Sequence, residues 1–259
     1  MLLLLDIGNT HTHVGLTAGR GRLRRFELST PGWADGSTAA ALRRAVGRAP
    51  LEAAALCSVV PAATERAADA LRRFWRLEPF VLTHRTVCGV GLDYPRPATI
   101  GPDRLANAVA ARQRFGAPVV VVDFGTAVTF DVVNARGDYI GGIIAPGLSA
   151  MTDYLHEKTA LLPRIRLRAP RSVIGQSTRE AMLAGAVIGY RGLIRELLRE
   201  VRRALGARRL PVVATGGYAA LLARQVPEIT TVAPELTLDG LRRVWAAHHA
   251  APGSAARPS

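Results

Sequence analysis

The sequence predicts an α/β protein built as two similar halves. Three observations predict it. An apolar quartet ending on an acid-glycine turn occurs twice, each copy opens a run of short apolar segments broken by glycine turns, and each run gives way to segments of helical period. The first copy is Leu2–Leu5 leading into Asp6-Ile7-Gly8-Asn9-Thr10. The second is Val119–Val122 leading into Asp123-Phe124-Gly125-Thr126-Ala127-Val128-Thr129.

Along the first half, Leu2–Asp6 reads as a buried strand, His11–Thr17 as a second, and Leu23–Leu28 as a third after the turn Ala18-Gly19-Arg20-Gly21. The period then changes. Ser37–Arg48 and Ala62–Leu77 have helical spacing, with Leu71, Phe74 and Trp75 on one face of the latter, and Leu51–Val60 between them contains a short strand that stops at Pro61. Leu105–Phe115 is a further helix. The second half repeats the meander with Val119–Asp123, Val128–Val133, a turn at Asn134–Asp138, and Tyr139–Ile144. A long helix Thr178–Leu205 follows, opened by the capping box Ser177…Glu180. Pro211–Ala214 is a strand feeding Thr215-Gly216-Gly217 and a helix Tyr218–Gln225; Gly240–His248 is the last helix, Ala250–Ser259 a frayed tail, and His248-His249 read as solvated tail.

Composition narrows the function. With 259 residues, 49% of them hydrophobic, the chain can bury one large core or two small ones. Leu2–Leu5 is far shorter than the ~20 apolar residues of a membrane span and lacks a basic leader, so it reads as a strand rather than a secretory signal. Cys57 and Cys88 have neither CxxC spacing nor histidine partners, which points to two reduced thiols and a cytoplasmic setting. The formal charge is +14, yet of 34 basic residues only Lys158 is lysine. Arginines are scattered over helix surfaces without interleaved aromatics, so the charge predicts no specific nucleic-acid groove and no membrane partner. The single lysine also excludes a GxxxxGK[ST] phosphate loop, since Lys158 has no glycine ahead of it.

A glycine turn after a buried strand exposes several backbone N–H groups in a small concavity that binds anionic oxygens without lysine. Gly8 and Gly125 permit close approach, and Asn9, Thr10, Thr126 and Thr129 add side-chain donors. Asp6 and Asp123 would repel a bare phosphate, so they make sense beside a cation such as Mg²⁺ held through carboxylate or its waters. Gly216-Gly217 ahead of a helix can take an adenosine or its phosphates. The alternative for either copy alone is an ordinary Asp-Gly hairpin turn. His11 and His13 share a strand face, but no third ligand lies near them in sequence, so a zinc site is not supported.

Taken with Gly101-Pro102-Asp103-Arg104, Gly141-Gly142-Ile143-Ile144-Ala145-Pro146-Gly147 and Thr215-Gly216-Gly217, the two acid-glycine motifs resemble those of the type III pantothenate kinases, members of the acetate and sugar kinase/Hsp70/actin superfamily. The match runs from Leu2 to about Val244. The resemblance implies two duplicated ribonuclease H-like (actin-like) lobes, each a mixed five-stranded sheet with helices, with a nucleotide cleft between them: residues 1–116, 117–248, and a flexible tail 249–259. It implies ATP-dependent phosphorylation of pantothenate, the first step of coenzyme A synthesis, in a cytoplasmic homodimer that uses Mg²⁺ and a monovalent cation, K⁺ or NH₄⁺.

Position by position, the resemblance makes Asp6, Ile7, Gly8, Asn9, Thr10, His11, Thr12 and His13 the first phosphate loop, with Asp6 reaching Mg²⁺ through water. Asp123 becomes the monovalent-cation ligand, Thr126 an ATP contact, and Gly216 with Gly217 the adenosine segment. Tyr94, Gly101, Pro102, Asp103, Arg104 and Thr178 become the pantothenate pocket, and Asp103 the catalytic base. The chemistry agrees with that last role, because phosphoryl transfer to an alcohol needs a carboxylate to orient the hydroxyl and accept its proton. Arg104 beside it suits an acid substrate's carboxylate. Asp103 can equally cap the helix that follows. Pro102 is a departure, since a small or aliphatic residue is expected there. Two further readings stay open: a non-catalytic, transcription-associated relative of this fold, and an actin-like kinase for another small acid.

Overall fold

The structure is a computed structural model that describes residues 1–18 and 21–250; the expected turn residues Gly19 and Arg20 and the tail residues 251–259 lie outside the described residues. The chain forms two compact units, residues 1–114 with 235–250, and residues 115–234.

In the first unit, β1 (Leu2–Ile7), β2 (His11–Thr17) and β3 (Arg24–Ser29) form an antiparallel meander. After helix α1 (Ser37–Val46), β4 (Ala53–Ser58) joins the other side of β1 in parallel. Helix α2 (Pro61–Trp75) then leads to the two-residue strand β5 (Phe80–Val81), which gives the order β3-β2-β1-β4-β5. A further short strand, β6 (Gly91–Leu92), precedes helix α3 (Pro102–Phe115). Leu2–Leu5 are all buried at 5% exposure or less, the central-strand signature of an unbroken apolar run. Each such leucine contributes about 1.5–3 kcal/mol on burial. Leu3, Leu5, Val14, Trp33, Leu42, Leu56 and Leu71 share one core.

The second unit repeats that plan. β7 (Val119–Phe124), β8 (Ala127–Val133) and β9 (Asp138–Pro146) form the meander. Helices α4 (Leu148–Lys158) and α5 (Thr178–Ala204) follow, then β10 (Val212–Thr215), parallel to β7, helix α6 (Ala219–Ala223) and β11 (Thr231–Val232). Read from β9 to β11, five strands of this sheet repeat the first unit's order strand for strand, but the sheet has six strands where five were expected. Ser177 Oγ accepts from Glu180 N at 3.3 Å, the cap bond expected, whereas Glu180 Oε2 accepts from Gln176 N at 3.0 Å, one residue ahead of the Ser177 N–H that the reciprocal bond of a capping box uses.

The C-terminal helix α7 (Leu236–Ala250) departs from the expected division, because it packs on β1 and β4 and so belongs with the first unit. It also starts earlier than Gly240. That glycine sits inside the helix, where a Cβ would collide with the Ala106 carbonyl, so it marks a close helix crossing rather than a helix start. Thr237 Oγ1 donates to Asn107 Oδ1 at 2.9 Å beside it. His248 and His249 are not tail residues as expected but lie within α7, where His249 stacks on Trp245 at 4.4 Å.

Candidate active site

In the first unit, Asp6 lies one residue before the end of β1, opposite His13 on the antiparallel side and Cys57 on the parallel side. The turn that follows is closed by Gly8 N donating to His11 O at 3.0 Å. Strand alternation separates the residues of this loop. Ile7 and Thr12 point inward and are fully buried, while Asn9, Thr10, His11 and His13 are exposed. Thr12 serves the core: its hydroxyl pairs with Thr30 Oγ1 at 2.9 Å and accepts from Trp33 Nε1 at 3.0 Å. Its side chain is therefore not available to a ligand, whereas the two histidines flank the turn with ring centroids 6.5 Å apart. Burial lowers the His13 pKa, partly opposed by Glu27, whose Oε1 lies 3.4 Å from Nδ1.

Asp103 belongs to the same unit, in the first turn of α3 rather than ahead of it. Pro102 is the reason: its fixed φ and missing N–H suit a first helical position, so the helix begins one residue before the acid. The substitution that looked like a departure thus sets the backbone on which Asp103 stands. Its Oδ1 accepts from Arg104 N at 2.9 Å and folds over Gly101, where a Cβ would come within 2.5 Å of that oxygen and 3.5 Å of Val59 Cγ1. A side chain at Gly101 would therefore displace the Asp103 carboxylate from this position. Val59, which continues β4, is anchored by its N–H to Ile7 O at 3.1 Å, so the end of β1, the end of β4 and the start of α3 meet here.

Burial pushes the Asp103 carboxyl above its ordinary value, against the opposing hydrogen bond and charge of Arg104. Cys57, fully buried, is raised strongly, first by burial and then by the negative charges of Asp6 and Asp103. It stays a thiol and donates to Asp6 Oδ1 at 3.5 Å. Cys57 is the residue that sequence reasoning missed. The only signal was its place near the end of the predicted strand Leu51–Val60, and the parallel register is what makes it Asp6's neighbour. Tyr94 is half-buried ahead of the 3-10 turn Pro97–Thr99 that leads to Gly101.

In the second unit, Asp123 lies one residue before the end of β7, opposite Thr129 and beside Thr215. Gly125 N donates to Ala127 O at 3.1 Å, and Thr126 is exposed at the tip. Two other glycines converge on this turn. Gly147 N donates to Thr126 O at 3.1 Å, and a Cβ on Gly147 would strike the carbonyls of Thr126 and Gly125. Gly216, at φ +86°, lies so close that a Cβ would come within 2.5 Å of Asp123 Oδ1 and 2.7 Å of the Phe124 backbone. Gly217 is exposed with open space around it. Helix α6 beyond them has five residues, shorter than the expected Tyr218–Gln225, so backbone geometry at Gly216 matters more here than a helix dipole. Thr178 stands exposed at the first turn of α5.

Among the described residues no group of three or more His, Cys, Asp or Glu side chains converges to cage a metal. A single half-buried carboxylate at each turn fits a magnesium ion that keeps its waters and takes substrate phosphates as ligands. No helix of the described residues is long and apolar enough to cross a membrane.

Comparison with known proteins matches this arrangement. Residues 2–200 match the family model for type III pantothenate kinase. A protein of that name from Akkermansia muciniphila is 48% identical over 241 residues, covering 93% of this chain and 96% of its own length. Another from Thermomicrobium roseum is 40% identical, covering 98% and 100%. Among solved structures, a proposed 2-dehydro-3-deoxygalactonokinase from Sinorhizobium meliloti superposes with a TM-score of 0.62 at 14% identity, covering 99% of both chains. A proposed Baf family transcriptional activator from Campylobacter jejuni gives 0.61 at 19% identity, covering 95% and 98%. The structural likenesses establish the shared sugar-kinase type of fold. The family match over three quarters of the chain and identities of 40–48% with full-length relatives establish more: this chain belongs to the type III pantothenate kinase family.

Proposed function

We propose that this chain phosphorylates pantothenate with Asp103 as the catalytic base, Asp6 and the Gly8–His11 turn on the phosphates, and Asp123 as ligand of a monovalent cation. The overall reaction follows from family membership: an ATP-dependent transfer of a phosphoryl group to pantothenate, giving 4'-phosphopantothenate, the first step of coenzyme A synthesis. One observation carries the residue assignment. Asp103 is a half-buried carboxylate, raised in pKa and fixed on a helix start, in the same unit as Asp6 and sharing Cys57 with it.

In this reading Asp103 orients the pantothenate hydroxyl and takes its proton as oxygen bonds to the γ-phosphorus and the bond from phosphorus to the ADP oxygen breaks. A raised pKa brings that base nearer the working pH, which favours proton transfer. Asp6 holds Mg²⁺ through water, and the bound ion supplies neutralisation of charge on the transferred group. Arg104 and Tyr94, with Gly101 and Thr178, hold pantothenate. Thr126, Gly216 and Gly217 hold the nucleotide.

A homodimer is supported by large apolar side chains left exposed in the second unit, with Tyr154 at 63%, Leu161 at 89% and Ile174 at 80% exposure. A cytoplasmic setting is supported by two free cysteines. The test is purified protein with Mg·ATP, K⁺ and pantothenate, following ADP release, with Asp103→Asn as control. ADP release that depends on both pantothenate and K⁺ and is lost in the variant is expected. Turnover that ignores pantothenate would point to another acid as substrate, and no turnover to a binding protein.

A further inference from the structure

The first unit carries an open cavity of about 860 Å³, lined by residues of neither turn, whose wall is dominated by arginine. Six guanidinium groups line it against two carboxylates, Glu235 and Asp239. The arrangement is built rather than scattered. Asp239 is buried on α7 and holds three of the arginines at once: Arg242 Nη2 at 2.6 Å, Arg243 Nε at 2.9 Å, and Arg114 Nη1, from the end of α3, at 3.7 Å. Arg243 also donates to Gln113 Oε1 at 2.9 Å, and Arg25 on β3 reaches Glu235 at 3.5 Å. Burial would raise the Asp239 carboxyl, but the hydrogen bonds from Arg242 and Arg243 hold it below its ordinary value.

One ionised carboxylate cannot neutralise three guanidiniums. It fixes their orientation and leaves positive charge in excess on a concave wall, which lowers the ordering cost of binding an anion there. Planar guanidinium groups match phosphate oxygens in pairs. The contrast within the chain is with α5, where Arg199 and Arg203 pair with Glu196 and Glu200 along one exposed helix face, with no buried acid to fix them.

We infer that this cavity, formed by residues 21–25, the end of α3 and the face of α7, is a second anion site for a phosphate chain of diphosphate length or longer. Its volume exceeds what one orthophosphate fills. The site is separate from the catalytic residues proposed above.

Calorimetric titration with inorganic pyrophosphate, run with saturating Mg·AMP-PNP to occupy the kinase site, tests it. One equivalent is expected to bind, at least tenfold more tightly than orthophosphate. The double variant Arg22→Glu/Arg25→Glu, both exposed and outside the catalytic machinery, is expected to weaken binding tenfold or more with kinase kcat unchanged. Arg199→Glu/Arg203→Glu, which makes the same charge change on α5 of the second unit, should leave binding within about twofold; Arg25→Lys, which keeps the charge, should lose less than the double variant. A parallel titration with ADP separates a free phosphate chain from the phosphates of a nucleotide, which bind more tightly if the base also contacts the wall. No binding once the kinase site is filled, or equal loss in the two double variants, overturns the proposal.

Discussion

The turn after β1 and the turn after β7 share a frame and differ in what surrounds the acid. In both, an aspartate one residue from the strand end has an antiparallel neighbour on one side and a parallel neighbour on the other. The first turn is one residue longer, with Gly8-Asn9-Thr10 between strands where the second has Gly125-Thr126. The residue beneath the turn is Thr12, tied to Trp33 and Thr30, in one copy and the buried Val128 in the other. Asp6 has a thiol beside it and Asp103 nearby. Asp123 has Thr215 beside it and Gly216 against its carboxylate. A duplicated scaffold thus carries two different surroundings for its acids: the first places a thiol and a second carboxylate near Asp6, and the second is shaped by glycines into a close backbone cradle.

The sharpest way to break this comparison is at its glycines. Gly216→Ala forces a side chain into a left-handed conformation, costing about 1–2 kcal/mol, and adds the overlap with Asp123 and Phe124. Urea denaturation should show at least that loss, accompanied by weaker ATP binding. Gly8→Ala should change stability by less than about 1 kcal/mol, because its Cβ comes no nearer than 3.2 Å to His11 O and alanine reduces unfolded-state freedom. Equal effects at the two positions would remove the distinction.

Thr12→Val makes the first turn resemble the second in its core. It leaves the Trp33 indole N–H without its acceptor and should cost about 1–3 kcal/mol by the same denaturation measurement. A neutral outcome would mean that the network contributes nothing beyond packing.

Much of this was legible in the sequence, and the failures have physical causes. The strands around Asp6 and Asp123 could be read because unbroken apolar runs ending in glycine turns have few other solutions. Helix α4 was not expected. It buries only Leu148 and Thr152, too sparse a stripe to announce a helix, and β5 and β11 are too short to show alternation. The Gly240 break misplaced the start of α7, since close packing on Ala106 cannot be distinguished from helix termination in one dimension. Asp103 was found, but that it is half-buried and shares Cys57 with Asp6 depends on the parallel pairing of β1 with β4, which no local pattern reports.

A smaller effect follows from the Asp103 carboxyl itself. Its folded pKa lies above the unfolded value, so between the two the folded chain keeps a proton that the unfolded chain has lost. The contribution of this group to stability therefore falls as pH rises through that window, and above the folded value the ionised acid is a net cost. Asp103→Asn should raise Tm at pH 7, and the gain should shrink at acid pH where the wild-type group is protonated. As a base the group must be ionised, so wild-type kcat/KM should fall on acidification at a pH above the ordinary carboxylate range. Smaller still is Cys57→Ala, which removes the donor to Asp6: a loss of about 0.5–1.5 kcal/mol in kcat/KM, restored by Cys57→Ser, is expected from steady-state assays.

Steady-state kinetics of Asp103→Asn and Asp123→Asn, measured side by side against ATP and K⁺, test the division of labour most directly. Asp103→Asn is predicted to lower kcat by ~10²–10⁴ with KM for ATP nearly unchanged, and Asp123→Asn to raise the ATP and K⁺ requirements with a smaller loss of kcat. If Asp103→Asn retains wild-type kcat, or the two variants lose the same parameters to the same extent, Asp103 and Asp123 do not have the separate roles proposed for them.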